Sequence, residues 1–118
     1  MKTHLLATVV LSLAAASAVA QNAAPLQRFL IERDIKGAGA MTAEQLRGAA
    51  IKSNGVLRSL GPDIQWVHSY VAGDKIYCVY NAPSEALIKS HAEQSGFPAN
   101  RITRVSAVID PTTADARR

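Results

Sequence analysis

The stretch WVHSYVAGDKIYCVYNA, residues 66–82, contains two β-patterned runs on either side of Gly73 and Asp74. Glycine in the first position of a two-residue loop suits a turn whose twist matches that of the flanking strands. The pattern therefore predicts a hairpin of strands 64–71 and 75–82. Because the same stretch holds aromatic residues, a histidine and the only cysteine of the chain, we expect it to carry the functional site.

The length of the hairpin loop decides which side chains share a face. A two-residue loop pairs Tyr70 with Tyr77 and His68 with Val79, and it places four side chains on one face: Trp66, His68, Tyr70 and Tyr77. Cys78 and Tyr80 then lie on the other face. A three-residue loop would instead place His68 opposite Cys78, because a shift of one residue reverses the face of a whole strand. The two-residue loop is the favoured alternative.

The elements on either side of the hairpin follow from turn and capping signals. Thr42 and Gln45 form a predicted capping box, and Ser84 is the predicted cap of a second helix. Glycines at 48 and 55 weaken the first helix, so a break near Asn54 is an open alternative. The predicted elements are a strand over 29–35, a helix over 43–60, the hairpin, a helix over 85–95 and a strand over 102–109.

This order, β-α-β-β-α-β, predicts an α+β ferredoxin-like fold with a four-stranded antiparallel sheet and two helices on one face. Two helices leave the other face of the sheet uncovered, and neither face of the hairpin is clearly polar. We therefore expect two copies to pack sheet against sheet as a homodimer.

The first 20 residues have the pattern of a secretory signal peptide. Lys2 and His4 precede an uncharged run over 5–20 that ends on small residues. A retained membrane anchor is the alternative, but a span needs roughly 20 apolar residues and this run is shorter. We expect an exported chain, periplasmic or secreted, with no stable membrane anchor, a domain over 28–110 and a flexible tail over 111–118.

The charge pattern argues against a nucleic-acid partner. The net charge is +4, but the basic residues alternate with acidic and apolar ones along the chain. Binding to nucleic acid usually requires a basic stripe or arm with aromatic platforms. We expect a mixed, solvated surface instead.

The chain has no compact metal-binding motif such as C-x-x-C, H-x-x-x-H or H-E-x-x-H, so ligands would have to converge from distant segments. The candidate ligands are His68, His91, Cys78 and Glu32. Imidazole with carboxylate or thiolate suits nickel, copper or zinc better than calcium.

Each candidate ligand also has an ordinary interpretation. His91 lies on the predicted helix stripe that faces the sheet and suits a core-edge histidine. Cys78 suits a small buried hydrophobe. Glu32 suits a surface ion pair with Arg33 or Arg104. These alternatives stay open on the sequence alone.

Several motifs together resemble a known family. They are FLIERD at 29–34, WVHSYV at 66–71, KIYCVYNAP at 75–83 and HAEQSGFP at 91–98. They are similar to a domain-of-unknown-function family of small ferredoxin-like proteins, one branch of which is nickel-binding, over about residues 28–110. The resemblance implies a dimeric α/β barrel with nickel or another divalent transition metal near the dimer contact. The positions that match the family's motifs are Glu32, His68, Tyr70, Cys78, Tyr80 and His91.

Three functions compete. The first is a small exported protein that binds a divalent metal, with nickel favoured. The second is a dimeric α/β-barrel enzyme of the cofactor-free or haem-handling type, in which His68 or His91 moves protons. The third is a non-catalytic assembly module. The candidates for contact with a bound ligand or cofactor are Trp66, Tyr70, Tyr77 and Tyr80. The sequence identifies no catalytic residue.

Overall fold

The structure, a computed structural model, describes residues 24–115. Its elements are β1 (Gln27–Asp34), a short 3-10 helix (Ala38–Ala40), α1 (Ala43–Leu60), β2 (Gln65–Ala72), β3 (Lys75–Ala82), α2 (Glu85–Ser95), β4 (Arg101–Arg104) and a second 3-10 helix (Pro111–Asp115). The strands form one antiparallel sheet in the order β2-β3-β1-β4. The predicted ferredoxin-like α+β fold is confirmed.

Both helices begin and end where the sequence signals predict. Thr42 Oγ1 accepts a hydrogen bond from the Gln45 amide at 3.1 Å, and Gln45 Oε1 accepts one from the Thr42 amide at 2.9 Å. This reciprocal pair satisfies two amides that a helix start leaves without partners. The helix α1 continues through Asn54 without a break.

The hairpin has the predicted two-residue loop. Tyr70 pairs with Tyr77 and His68 with Val79. Gly73 has φ 58°, and no non-glycine residue among those described has a positive φ. This combination is typical of a turn with glycine in its first central position.

A β-bulge at Val67 changes the face of one predicted site residue. The register shifts between Trp66 and His68, so Trp66 pairs with Tyr80 and the two rings stack with centroids 6.5 Å apart. A bulge adds a residue to one strand and thereby reverses the alternation of side chains beyond it. The prediction that Trp66 shares a face with His68 is wrong, because Trp66 lies on the face covered by the helices.

The last strand is shorter than predicted, since β4 ends at Arg104 and not at residue 109. The amide of Val105 still donates to the Arg28 carbonyl at 2.8 Å. The neighbouring strand β1 begins at Gln27, so the residues of the chain beyond this point of β4 have no strand to pair with. Val108 and Ile109 are accordingly 64% and 84% exposed.

The core lies between the two helices and one face of the sheet. Its buried members are Phe29, Ile31, Ile64, Cys78, Tyr80, Ala82 and Ile88. Within α1 only Ser53 is fully buried, so α1 covers the sheet less closely than α2 does. Neither helix in residues 24–115 is long and apolar enough to cross a membrane. The predicted signal peptide lies outside the described residues.

We expect Gly73→Ala to lower the free energy of unfolding by about 1–2 kcal/mol, because an L side chain is strained at positive φ. Gly48→Ala is the matched control. A Cβ at position 48 meets nothing within 4 Å, so alanine in this helix interior should raise the free energy of unfolding by up to about 1 kcal/mol. Urea denaturation measures both changes. A Gly73→Ala variant as stable as the wild type would contradict a turn in which residue 73 has a positive φ.

Candidate functional site

The sheet divides the predicted ligands between its two faces. One face lies under the helices, and we call the other the open face. The pairing of β1, β3 and β2 places six side chains together on the open face: Leu30, Glu32, His68, Tyr70, Tyr77 and Val79. Cys78 and Tyr80 are buried on the covered face, and His91 of α2 packs against Tyr80. His68 and Glu32 therefore lie on the opposite side of the sheet from Cys78 and His91.

His68 is an exposed histidine on an aromatic surface. Its ring meets the ring of Tyr70 edge-on, with centroids 4.9 Å apart and planes at 72°. Tyr70 is itself 61% exposed. In a single chain this imidazole is thus accessible to a metal ion or to a second subunit.

Glu32 lies two strands away from His68 on the same face, between two cations. Its carboxylate oxygens are 3.6 Å from Lys75 Nζ and 3.9 Å from Arg101 Nε. Lys75 also pairs with Asp34 at 3.5 Å, and these two carboxylates, Asp34 first, raise the pKa of Lys75. The expected partners, Arg33 and Arg104, lie instead on the covered face.

One chain does not assemble a complete metal site from these residues. Across residues 24–115, no three side chains of the histidine, cysteine, aspartate and glutamate type come together. The four predicted ligands are not brought together by the fold.

The covered face instead holds a buried polar cluster, formed by Ser53, Tyr80 and His91 with Arg33 nearby. Ser53 Oγ lies 3.3 Å from the Tyr80 hydroxyl and 3.1 Å from His91 Nε2. His91 Nδ1 has no hydrogen-bond partner among the described residues. Burial and then the nearby charge of Arg33 lower the pKa of His91 to about 4, while burial raises the pKa of Tyr80. His91 is therefore neutral at pH 7.

Two members of this polar cluster, Arg33 and Ser53, were not among the site residues predicted from the sequence. Arg33 is only 2% exposed and donates to Cys78 Sγ at 3.3 Å. The sequence does contain a signal for the burial of Arg33, because Phe29, Ile31 and Arg33 occupy alternate positions of β1 and share the buried face. Ser53 lies in α1, and nothing in the sequence indicates its two buried partners.

A family profile described as nickel responsive protein SCO4226-like matches residues 29–105, well over half of the chain. The chain belongs to this SCO4226-like family. The crystal structure of SCO4226 from Streptomyces coelicolor A3(2) is similar to the structure, with a TM-score of 0.56 and 26% sequence identity. That alignment covers 70% of this chain and 99% of SCO4226. A comparison with curated proteins finds no match.

Membership of the SCO4226-like family supports the nickel-related resemblance at the level of the family. The broader domain-of-unknown-function assignment stays a prediction. The four motifs that suggested it all lie within the matched region, residues 29–105.

The stability of the protein should depend on the protonation of His91. Because its folded-state pKa of about 4 lies below the ordinary value of 6.5, the unfolded chain binds this proton first as pH falls. The contribution of neutral His91 is complete above pH 6.5 and is lost progressively towards pH 4. We expect the loss to reach roughly 3 kcal/mol, from 1.36 kcal/mol per pKa unit.

Urea denaturation between pH 7 and pH 4 tests this dependence. His91→Gln, which does not titrate, should lose less stability than the wild type over that range. His68→Gln removes an exposed imidazole from the opposite face and is the matched control. If His91→Gln shows the same pH dependence as the wild type, the buried neutral histidine is not the cause.

Proposed function

We propose that the chain is an exported homodimeric protein that binds a divalent transition metal, with nickel favoured, where the open faces of two copies meet. Nucleic acid and a stable membrane anchor have no part in this function. The family description, nickel responsive protein, supports the choice of metal. The observation that carries the proposal is the exposed imidazole of His68 on an uncovered aromatic sheet face.

The donor chemistry of the open face fits nickel. Imidazole nitrogen and carboxylate oxygen are both suitable ligands for this ion. His68 supplies the first and Glu32 the second, although Glu32 must exchange its ion pairs with Lys75 and Arg101 for the metal. The metal would supply a fixed positive charge that links the two subunits.

A second copy is needed to complete the ligand set. The described part of one chain gathers no group of three ligands, and a structural or carrier site needs about four. Stacking two open faces brings a second His68 and a second Glu32 to the contact. It also covers apolar side chains such as Leu30 and Val79, which no helix covers.

Cys78 and His91 are less suitable ligands in this proposal. Both are buried between the helices and the sheet, and Cys78 Sγ already accepts a hydrogen bond from Arg33 Nε. The enzyme hypothesis placed Trp66, Tyr70 and Tyr77 around one apolar pocket, and the assembly hypothesis used the same aromatic face. The bulge divides these residues between the two faces, so metal binding is the better supported function.

Native mass spectrometry of the mature chain, purified without a histidine tag and incubated with nickel, should give a dimer with bound nickel. His68→Ala should remain dimeric and lose the metal, because it lacks the imidazole. His91→Gln, altered on the covered face, should keep it. In thermal melts, nickel at a hundredfold excess over its Kd should stabilise the wild type by about 2.7 kcal/mol.

The dimer contact is tested in the same experiment. Val79→Asp places a charge at the centre of the open face and should yield a metal-free monomer. Val108→Asp, in the exposed segment after β4, is the control and should leave both dimer and metal intact. Retention of nickel by His68→Ala, or of the dimer by Val79→Asp, would overturn the proposed site.

A further inference from the structure

A cavity of about 540 Å³ lies between α1 and the covered face of the sheet. Its size is within the range of ligand pockets in proteins. It exists because α1 presents small side chains, Ala49, Ala50 and Ser53, above the hairpin. The opposite wall carries larger apolar groups, including Trp66 and Ile76. The walls are mostly apolar, so the cavity suits a hydrocarbon or aromatic body.

Arg33 also lines this cavity, and it is a buried cation without an anionic partner in the part of the chain that the structure describes. The ion pairs among residues 24–115 involve Lys75, Lys89 and Arg101, and none involves Arg33. A buried charge is strongly unfavourable unless an opposite charge and hydrogen bonds compensate it. No carboxylate among residues 24–115 supplies such a charge at this position.

The hydrogen bonds of Arg33 leave one edge of its guanidinium underused. Nη1 donates to the Pro98 carbonyl at 2.7 Å, which is a good acceptor. On the other edge, Nε meets only Cys78 Sγ at 3.3 Å, and Nη2 has no partner among the described residues. Sulfur is a weak acceptor. The Nε and Nη2 N–H groups run parallel, which is the geometry that binds a carboxylate through two hydrogen bonds.

We propose that this cavity binds an apolar monocarboxylate, such as a medium-chain fatty acid or an aromatic acid, with its carboxylate on Arg33. The apolar body would lie between Ala50 of α1 and Trp66 of β2. Nη2 has almost no exposed surface in this structure, so the Arg33 guanidinium would turn towards the cavity, where the carboxylate would replace the thiol of Cys78 as acceptor for Nε and give Nη2 a partner.

Charge selects this chemical class over others. One guanidinium balances one negative charge, so a monoanion fits better than a phosphate monoester, which carries close to two charges at pH 7. A neutral alcohol of the same length would fill the cavity and leave the cation uncompensated, and an amine would be repelled. The site lies on the opposite side of the sheet from His68, so this inference does not depend on metal binding.

The test compares decanoate with decan-1-ol at pH 7, because the two differ only in the head group. Trp66 is the only tryptophan in the chain and lines the cavity, so its fluorescence reports occupancy directly. Isothermal titration calorimetry gives the two dissociation constants. We expect decanoate to bind at least tenfold more tightly than decan-1-ol and to change the Trp66 emission.

Variants locate the ligand. Arg33→Met removes the positive charge but keeps an unbranched side chain of similar length, and it should abolish the preference for decanoate. Arg47→Met removes an exposed arginine of α1 and should leave that preference unchanged. Ala50→Leu narrows the cavity and should weaken decanoate binding at least tenfold, which keeps the test decisive if Arg33→Met does not fold.

The inference is overturned if decanoate binds the wild type no more tightly than decan-1-ol, or if neither binds. It is also overturned if a folded Arg33→Met variant retains the preference, or if Ala50→Leu binds decanoate as the wild type does. Because His68→Ala leaves this cavity intact, it should bind decanoate normally even where it has lost nickel.

Discussion

Two helices cover only one face of a four-stranded sheet, and the register of the β2–β3 hairpin decides which side chains lie on that face. The turn at Gly73 fixes this register, pairing Tyr70 with Tyr77 and turning His68 towards solvent. A slip of one residue would bury His68 and expose the core side of β2. The different chemistry of the two faces depends on this one constraint.

Each face of the sheet lacks a feature that a protein interior normally has. The open face has apolar side chains that no helix covers, which favours a second subunit. The covered face has a helix, but the small residues of α1 do not fill the space beneath it, and Arg33 brings a charge into the core. Close packing and pairing of charge are the ordinary state of a protein interior. The covered face departs from close packing and from the pairing of charge, and the open face has no covering layer. Such a sheet is better suited to binding than to stability alone.

Much of the fold follows from local sequence signals. Thr42, Ser84 and Gly73 act within a few residues of themselves, so caps and turns could be read correctly. The end of β4 could not be predicted in this way, because it depends on where β1 begins, and Gln27 lies 77 residues before Arg104 in the chain. The bulge at Val67 has no glycine or proline beside it, so the face of Trp66 was predicted wrongly.

The candidate site was only partly predictable. Strand alternation, which is a local property, correctly grouped His68 with Tyr70 and Tyr77, whereas the position of Glu32 on the same face follows only from the pairing of β1 with β3. The cluster of Arg33, Ser53 and His91 joins β1, α1 and α2, and its contacts depend on tertiary packing that periodicity does not specify. The cavity likewise arises from the combined volume of side chains on several elements.

X-ray absorption spectroscopy at the nickel edge of the metal-loaded protein tests most directly whether the metal binds at the open face. We expect nitrogen and oxygen ligands, including imidazole, and no sulfur. The chain has a single cysteine, Cys78, and it lies on the covered face. A sulfur ligand from that residue would place the metal between the helices and the sheet beside Arg33, and it would therefore contradict a metal site on the open face.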